Sequence, residues 1–433
     1  MNNPIPWQFS KPSTCNIPKE QLFALQRPFF GKRLNKSRLI RKISADDIKH
    51  SSALSALTIP IPVTWSWKNL GKTTFKGKIE QPRDQGNCGG CWAFSVAMAL
   101  GDRYSIKYSI PSPYLSPLWL ITKTYYLMQT LPEQACNNGG DPYQASQWLE
   151  TNKIQLEKCW PYSMISNSSS LNRYQQWVTP NSLPDNCCST CCSYQINTVL
   201  NTNFSVQRNS TKTLVVMDIN YTINKIATIA AIQREIMTNG PVICGFQVYN
   251  DFMDYWDNDA PSGGIYVCKD DSPRQLNGGH AITITGWGVG KLSNGKTVRY
   301  WELRNTWGTY TGDGGYGRVA FSTDAPSNIN MEMDIPKESI SGGEWSGGMI
   351  ALTPGPLPTN YIAPTTPKQI TTPKCVFQTQ CVLNPKQALL EGFKYKNDSS
   401  AKILGITIHT PVLIGIIVFI LIILIILLVH LRK

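Results

Sequence analysis

The stretch Gln85-Gly86-Asn87-Cys88-Gly89-Gly90-Cys91-Trp92-Ala93-Phe94 decides how the rest of this chain is read. Gln85 brings a side-chain amide, and Cys88 is placed to anchor the loop. Gly89 and Gly90 let the backbone turn sharply into Trp92-Ala93-Phe94-Ser95-Val96-Ala97-Met98-Ala99-Leu100, which is apolar on nearly every side. Such a run predicts a buried helix beginning at Cys91. A thiol at a helix N-terminus lies in the positive end of the macrodipole, which favours thiolate. That is a nucleophile; the alternative is a pair of cysteines in an ordinary core turn.

Histidine is scarce enough to name the base. The four are His50, His280, His409 and His430. His50 precedes the core-forming region, and His409 and His430 flank an apolar C-terminal run. His280 follows Asn277-Gly278-Gly279 and precedes Ala281-Ile282-Thr283-Ile284, whose β-branched residues predict a strand. It can take the Cys91 proton and return it to a leaving amine if a third group holds the ring. Asn305, in Tyr300-Trp301-Glu302-Leu303-Arg304-Asn305-Thr306-Trp307-Gly308, supplies an amide that can accept from the imidazole, and Trp307 can shield that bond.

These residues, in this order, resemble the papain family of cysteine proteases, and within it the cathepsin B-like branch. Gln85, Cys91, His280 and Asn305 match the family's pattern one by one. Further likeness lies in Cys159-Trp160-Pro161-Tyr162-Ser163, Asn239-Gly240-Pro241-Val242, Gly286-Trp287-Gly288 and Gly312-Asp313-Gly314-Gly315-Tyr316. It runs from about Ile59 to Asp334. A membrane-anchored member of this size is also similar to the cathepsin-like proteases of some large DNA viruses. Gly90 departs from the family, which usually has Ser or Ala there.

The resemblance implies an α+β fold of two lobes, one helical and one β-barrel-like. It implies a thiol-dependent endopeptidase acting through Cys91, His280 and Asn305 and a thioester, with Gln85 at the oxyanion and neither cofactor nor metal. Gly139 and Gly140 would pair with substrate backbone, in a Cys136-Asn137-Asn138-Gly139-Gly140 run one Asn longer than usual. Gly279, Trp307 and Glu332 complete the expected substrate-facing set, Glu332 as a possible partner for a basic side chain. Cys88 is expected to pair with Cys136. The cathepsin B branch binds a substrate's C-terminus through paired histidines; none lies here between His50 and His280, so endopeptidase activity is expected.

Length, charge and flanking segments fill in the rest. At 433 residues the chain can hold one two-lobed domain and extensions. The net charge is +13, with basic residues gathered at Lys32, Arg33, Lys36, Arg38, Arg41 and Lys42. Without a nucleic-acid module beside them, residues 1–58 read as a solvated, cleavable, propeptide-like leader, cut near Leu57 to Pro62. By resemblance, this leader would lie across the cleft. Residues 59–334 form the peptidase domain, divided near Leu200 into its helical and β-rich lobes. Within the first, Ser116 is expected to cap a helix starting at Pro117, and Ala145, Trp148 and Leu149 to belong to core. Residues 164–222 form an insertion with sequons at Asn167, Asn203, Asn209 and Asn220.

Thirteen cysteines less one nucleophile leave an even number, which favours disulfides over a zinc half-site at Cys187-Cys188-Ser189-Thr190-Cys191-Cys192. Residues 335–404, rich in Pro, Thr and Gly, read as an extended stalk. Residues 405–433 read as an anchor and short basic tail. Pro411 to Val429 are charge-free, and about 1.5 Å per helical residue brings them close to the ~30 Å hydrocarbon core. The expected partners are protein or peptide substrates and a lipid bilayer, not nucleic acid. The protease domain is expected on the lumenal, exterior or virion side of a single-pass membrane protein rather than in the cytosol.

Overall fold

The computed structural model describes residues 41–70, 79–86, 88–124, 127, 139–157, 162, 204–267, 276–324, 333–338, 345–359 and 361, with the backbone of 400–403 and 406–409. The chain forms two compact units, residues 1–370 and 371–433. In the second, β10 (Ser400–Ile403) and β11 (Ile406–His409) make an antiparallel hairpin, so the start of the segment expected as anchor is strand. Pro411 to Val429 lie outside the described residues. Among the described residues no helix is long and apolar enough to cross a membrane.

The first unit opens with α1 (Ala45–Ala56), started by a reciprocal cap. Asp47 N–H donates to Ser44 Oγ while Ser44 N–H donates to the Asp47 carboxylate. β1 (Trp65–Ser66) and α2 (Trp67–Leu70) follow. The expected helix is α3 (Cys91–Tyr108), buried from Cys91 to Ser105. α4 (Pro117–Thr124) starts as its sequence predicts, with Trp119 N–H donating to Ser116 Oγ at 3.1 Å. α5 (Pro142–Trp148) is capped by Asp141. Phe94, Leu118, Ile121, Ala145 and Leu149 pack into one core, so Ala145 and Leu149 are core as expected and Trp148 lies at its margin. This is the helical lobe.

The second lobe is built on a seven-stranded sheet. Its strands are β2 (Lys212–Leu214), β3 (Val242–Tyr249), β4 (Leu276–Lys291), β5 (Thr297–Arg304), β6 (Tyr316–Ala320) and β9 (Met349–Ala351), with β1 added beside β4. The order is β2-β9-β3-β4-β5-β6, and every named pairing is antiparallel. Among the described residues β2 and β6 end the path, so the sheet is open where a barrel-like lobe was expected. β7 (Lys337–Glu338) and β8 (Trp345–Ser346) form a separate ribbon. The β4–β5 turn falls at Ser293-Asn294-Gly295, with Gly295 at φ 80°. Gly264 to Val267 contributes a single bridge, from Tyr266 to Val319.

Two helices also lie in the stretch read as β-rich: α6 (Lys225–Asn239), capped by Asn224, and α7 (Asn250–Asn258). Ile232, Ile236, Phe252 and Trp256 close the sheet's second core with Ile282, Ile284 and Leu303. Arg103 ties the lobes together. It donates to Glu235 on α6 at 2.7 Å and to the carbonyls of Pro241, Gly240 and Leu352.

Three sequence expectations are corrected by this architecture. The packed domain does not stop at Asp334: β9 is an inner strand, Met349, Ile350 and Leu352 are buried, and Tyr108 Oη holds the Gly355 carbonyl. The three apolar residues of β9 are too few to register as a strand inside a Gly- and Pro-rich run. Second, the described end of the leader is not a solvated segment. α1 packs on α6 and β2, and Arg41 is half-buried with its guanidinium donating to Gly347 O at 2.6 Å. Third, Cys244 on β3 is a free buried thiol, so cysteine parity does not carry the pairing argument.

Candidate active site

Cys91 is the first residue of α3, and Gly90 is its N-cap. A Cβ at position 90 would stand 2.9 Å from Ile121 Cδ1, the mobile end of that side chain. The backbone N–H groups of Ala281, Trp92 and Cys91 itself favour the charged form of the Cys91 sulfur. Ala281 follows His280, so the strand carrying the base meets the helix carrying the thiol.

His280 and Asn305 come from neighbouring strands. β4 and β5 pair with Thr283 opposite Arg304, and the same antiparallel register carried three residues further sets His280 against Trp307. The Trp307 indole stacks on the imidazole, centroids 4.7 Å apart and planes 25° from parallel. His280 Nε2 lies 2.7 Å from Asn305 Oδ1, which also accepts the Thr306 N–H at 2.7 Å. An oxygen that accepts twice requires a donor on Nε2, so Nδ1 carries the basic lone pair of the neutral ring.

Gln85 is locked beside this pair. Its N–H donates to Thr306 O at 2.8 Å, and the Gly308 N–H donates to Arg83 O at 3.0 Å, which aligns residues 83–85 with 306–308. The Thr306 hydroxyl donates to Gln85 Oε1, so Nε2 is the donor end, and it gives one hydrogen to Cys88 O at 2.9 Å. Tyr162 Oη donates to Gln85 O at 2.5 Å. That leaves the second hydrogen on Nε2 as a donor not used in these bonds.

Burial sets the protonation states. Cys91 and His280 expose 5% and 2% of their surfaces. Desolvation pushes the Cys91 thiol up to about 11, against the three N–H groups, and pulls His280 down to about 4, against the Asn305 bond. The thiolate that a helix start was expected to favour is therefore outweighed while the site is this dry.

The remaining expected residues divide. Gly140 backs directly onto the Cys91 helix: an added Cβ would run into the Trp92 indole, one residue from Cys91. Gly139 has φ 66°, and Gly279 lies buried on β4 opposite Gln247. Cys88 is disulfide-bonded, while Cys136, Glu332 and the Cys187–Cys192 cluster lie outside the described residues. Asn209 and Asn220 lie on exposed turns, and Asn167 and Asn203 are outside the described residues.

Sequence reading missed the framework beneath the triad. Arg304, just before Asn305, donates to Asp102 on α3 at 2.7 Å, to Glu80 O at 2.8 Å and to Thr283 Oγ1 at 3.0 Å. It joins the helix of Cys91, the strand of His280 and the strand leading to Asn305, wholly buried. A signal was there: Asp102 is the sole acid in the α3 sequence.

A model of the papain family cysteine proteases matches residues 61–337. The chain belongs to the papain family. A cathepsin B-like cysteine proteinase 6 of Caenorhabditis elegans is 38% identical over 96 residues, 22% of each chain. A gut-specific cysteine proteinase from the same organism is 32% identical over 56% of this chain and 64% of its own. The mouse tubulointerstitial nephritis antigen-like protein is 29% identical over 60% of this chain and 50% of its own. This papain-family chain thus spans less than two thirds of each of these relatives.

Proposed function

We propose that the chain is a thiol-dependent endopeptidase. The observation that carries this is the doubly fixed Asn305 Oδ1, which orients His280 on the strand packed against the Cys91 helix. His280 Nδ1 takes the Cys91 proton, and the sulfur attacks a substrate carbonyl. Gln85 Nε2 and the Cys91 N–H receive the oxyanion. His280 then protonates the leaving amine, and water, activated by the same nitrogen, hydrolyses the thioester. Gly139 and Gly140 would lie along the substrate backbone.

The dry neutral pair is the resting state in this reading. Admitting water and substrate lowers the cost of the thiolate–imidazolium pair, so uncovering the cleft is the activating event. Endopeptidase rather than dipeptide-releasing activity follows from the lack of histidine between His50 and His280. The apolar run from Pro411 to Val429 supports a membrane anchor, and the cysteine content supports an exterior or lumenal domain. Steady hydrolysis of an internally cleavable peptide, blocked at both ends, should require Cys91. Equal turnover by Cys91→Ala would overturn the assignment.

A second reading is a tethered binding module without turnover, favoured by the antigen-like relatives, which are not named as proteinases. Binding of substrate peptides without hydrolysis by protein with an open cleft would select it.

A further inference from the structure

The described end of the leader is built into the sheet lobe. β2 ends the sheet path, with β9 as its strand neighbour and α1 packed beside it. Two α1 side chains satisfy backbone there. The Asp47 carboxylate accepts the Thr213 N–H at 2.8 Å, and the Ser51 hydroxyl accepts the Val215 N–H at 2.9 Å. All four residues are buried. Without α1 these N–H groups would lie on a bare strand edge, an arrangement that natural sheets cover or blunt.

More contacts hold the same segment. Leu54 enters the second core. Arg234 on α6 donates to Ser55 O at 2.7 Å. Arg41 exchanges both backbone hydrogen bonds with Trp345 at 2.8 Å and lays its guanidinium 4.8 Å over the Tyr143 ring. The chain then leaves the body: Ala56 to Pro60 are all exposed, with Leu57 at 38% and Ile59 at 42%, and Val63 reaches 72%. It is fastened again by Ile61, which packs on the second core, by Pro62 O, which accepts from Trp287 Nε1 at 3.0 Å, and by Trp65, stacked on Trp287.

We propose that cleavage of the exposed segment between Leu57 and Val63 leaves residues 41–56 bound as a separate chain, covering the β2 edge of the mature protein. Hydrolysis adds one water across one peptide bond, giving a carboxylate and an ammonium there. None of the contacts of Asp47, Ser51, Leu54 or Arg41 crosses the broken bond. The leader is then a retained subunit at its end, not a wholly removable cover. The inference is independent of the proposed activity, because any peptidase that reaches this segment makes the same two chains.

The test uses the full-length chain in detergent, with a site-specific protease's recognition sequence placed between Thr58 and Val63. Cys91→Ala prevents self-cleavage, and Cys15→Ser removes the leader's cysteine as a covalent link. After complete cleavage, the leader fragment is expected to elute with the body at one-to-one stoichiometry on gel filtration and to separate in urea. The pair Asp47→Ala and Ser51→Ala should release it without urea. Separation of the unaltered fragment from a folded body would overturn the proposal, as would unchanged retention in the double variant. If the uncut double variant does not fold, Arg234→Ala, which removes the carbonyl clasp, carries the same comparison.

Discussion

Asn305 Oδ1 accepts two N–H groups, and this decides which nitrogen of His280 can act as base. Asn305→Ala frees the ring to rotate and should lower kcat about 10²-fold with little change in KM, measured on a blocked peptide. Gln85→Ala removes an oxyanion donor and should cost about 10²–10³ in kcat. His280 also gives a pH signature. Its pKa falls from 6.5 to about 4 on folding, so the unfolded chain binds more protons between those values. The stability it contributes is present above about pH 6.5 and is lost as pH falls toward 4. Thermal melts of His280→Gln should lose less over that window than the parent; identical profiles would remove His280 as the cause. At this scale the sequence was most legible. Cys91, His280 and Asn305 are of rare or motif-bound types, whereas Thr306 acts on Gln85 across 221 positions, where no local pattern reports it.

At the scale of elements, α3, β4 and β5 are pinned together by Arg304 and Asp102, both wholly buried. Removing one partner of a buried pair leaves an uncompensated charge. Asp102→Ala should therefore cost about 3–5 kcal/mol in a denaturant titration, and activity should fall with it because Arg304 precedes Asn305. A loss below about 1 kcal/mol, the scale of an exposed pair, would contradict that role. Gly140→Ala should also destabilise, since the new methyl meets the Trp92 ring, and the indole's fluorescence is a convenient readout. Helices α3 and α4 were legible from an all-round apolar run and from a Ser-Pro start. Strands β2 and β9 were not, because three residues each carry no period, and their identity comes from the neighbours that pair with them.

For the whole first unit, the expected order of leader, domain and stalk is too tidy. Segments on both sides of the family match enter the body: α1 covers one end of the sheet, and β9 is an inner strand beside β3. Composition could not reveal this, since leader and stalk are polar or Pro-rich on average while Leu54 and Ile350 are buried one by one. Burial leaves Cys91 and His280 dry and neutral, so the central claim is that Cys91, His280 and Asn305 nevertheless form a working thiol site. Labelling by an active-site-directed thiol epoxide tests it most directly, on folded protein with and without Cys91→Ala. The account predicts labelling of the parent and none of Cys91→Ala. Folded parent protein that stays unlabelled, or that labels equally as Cys91→Ala, would contradict it.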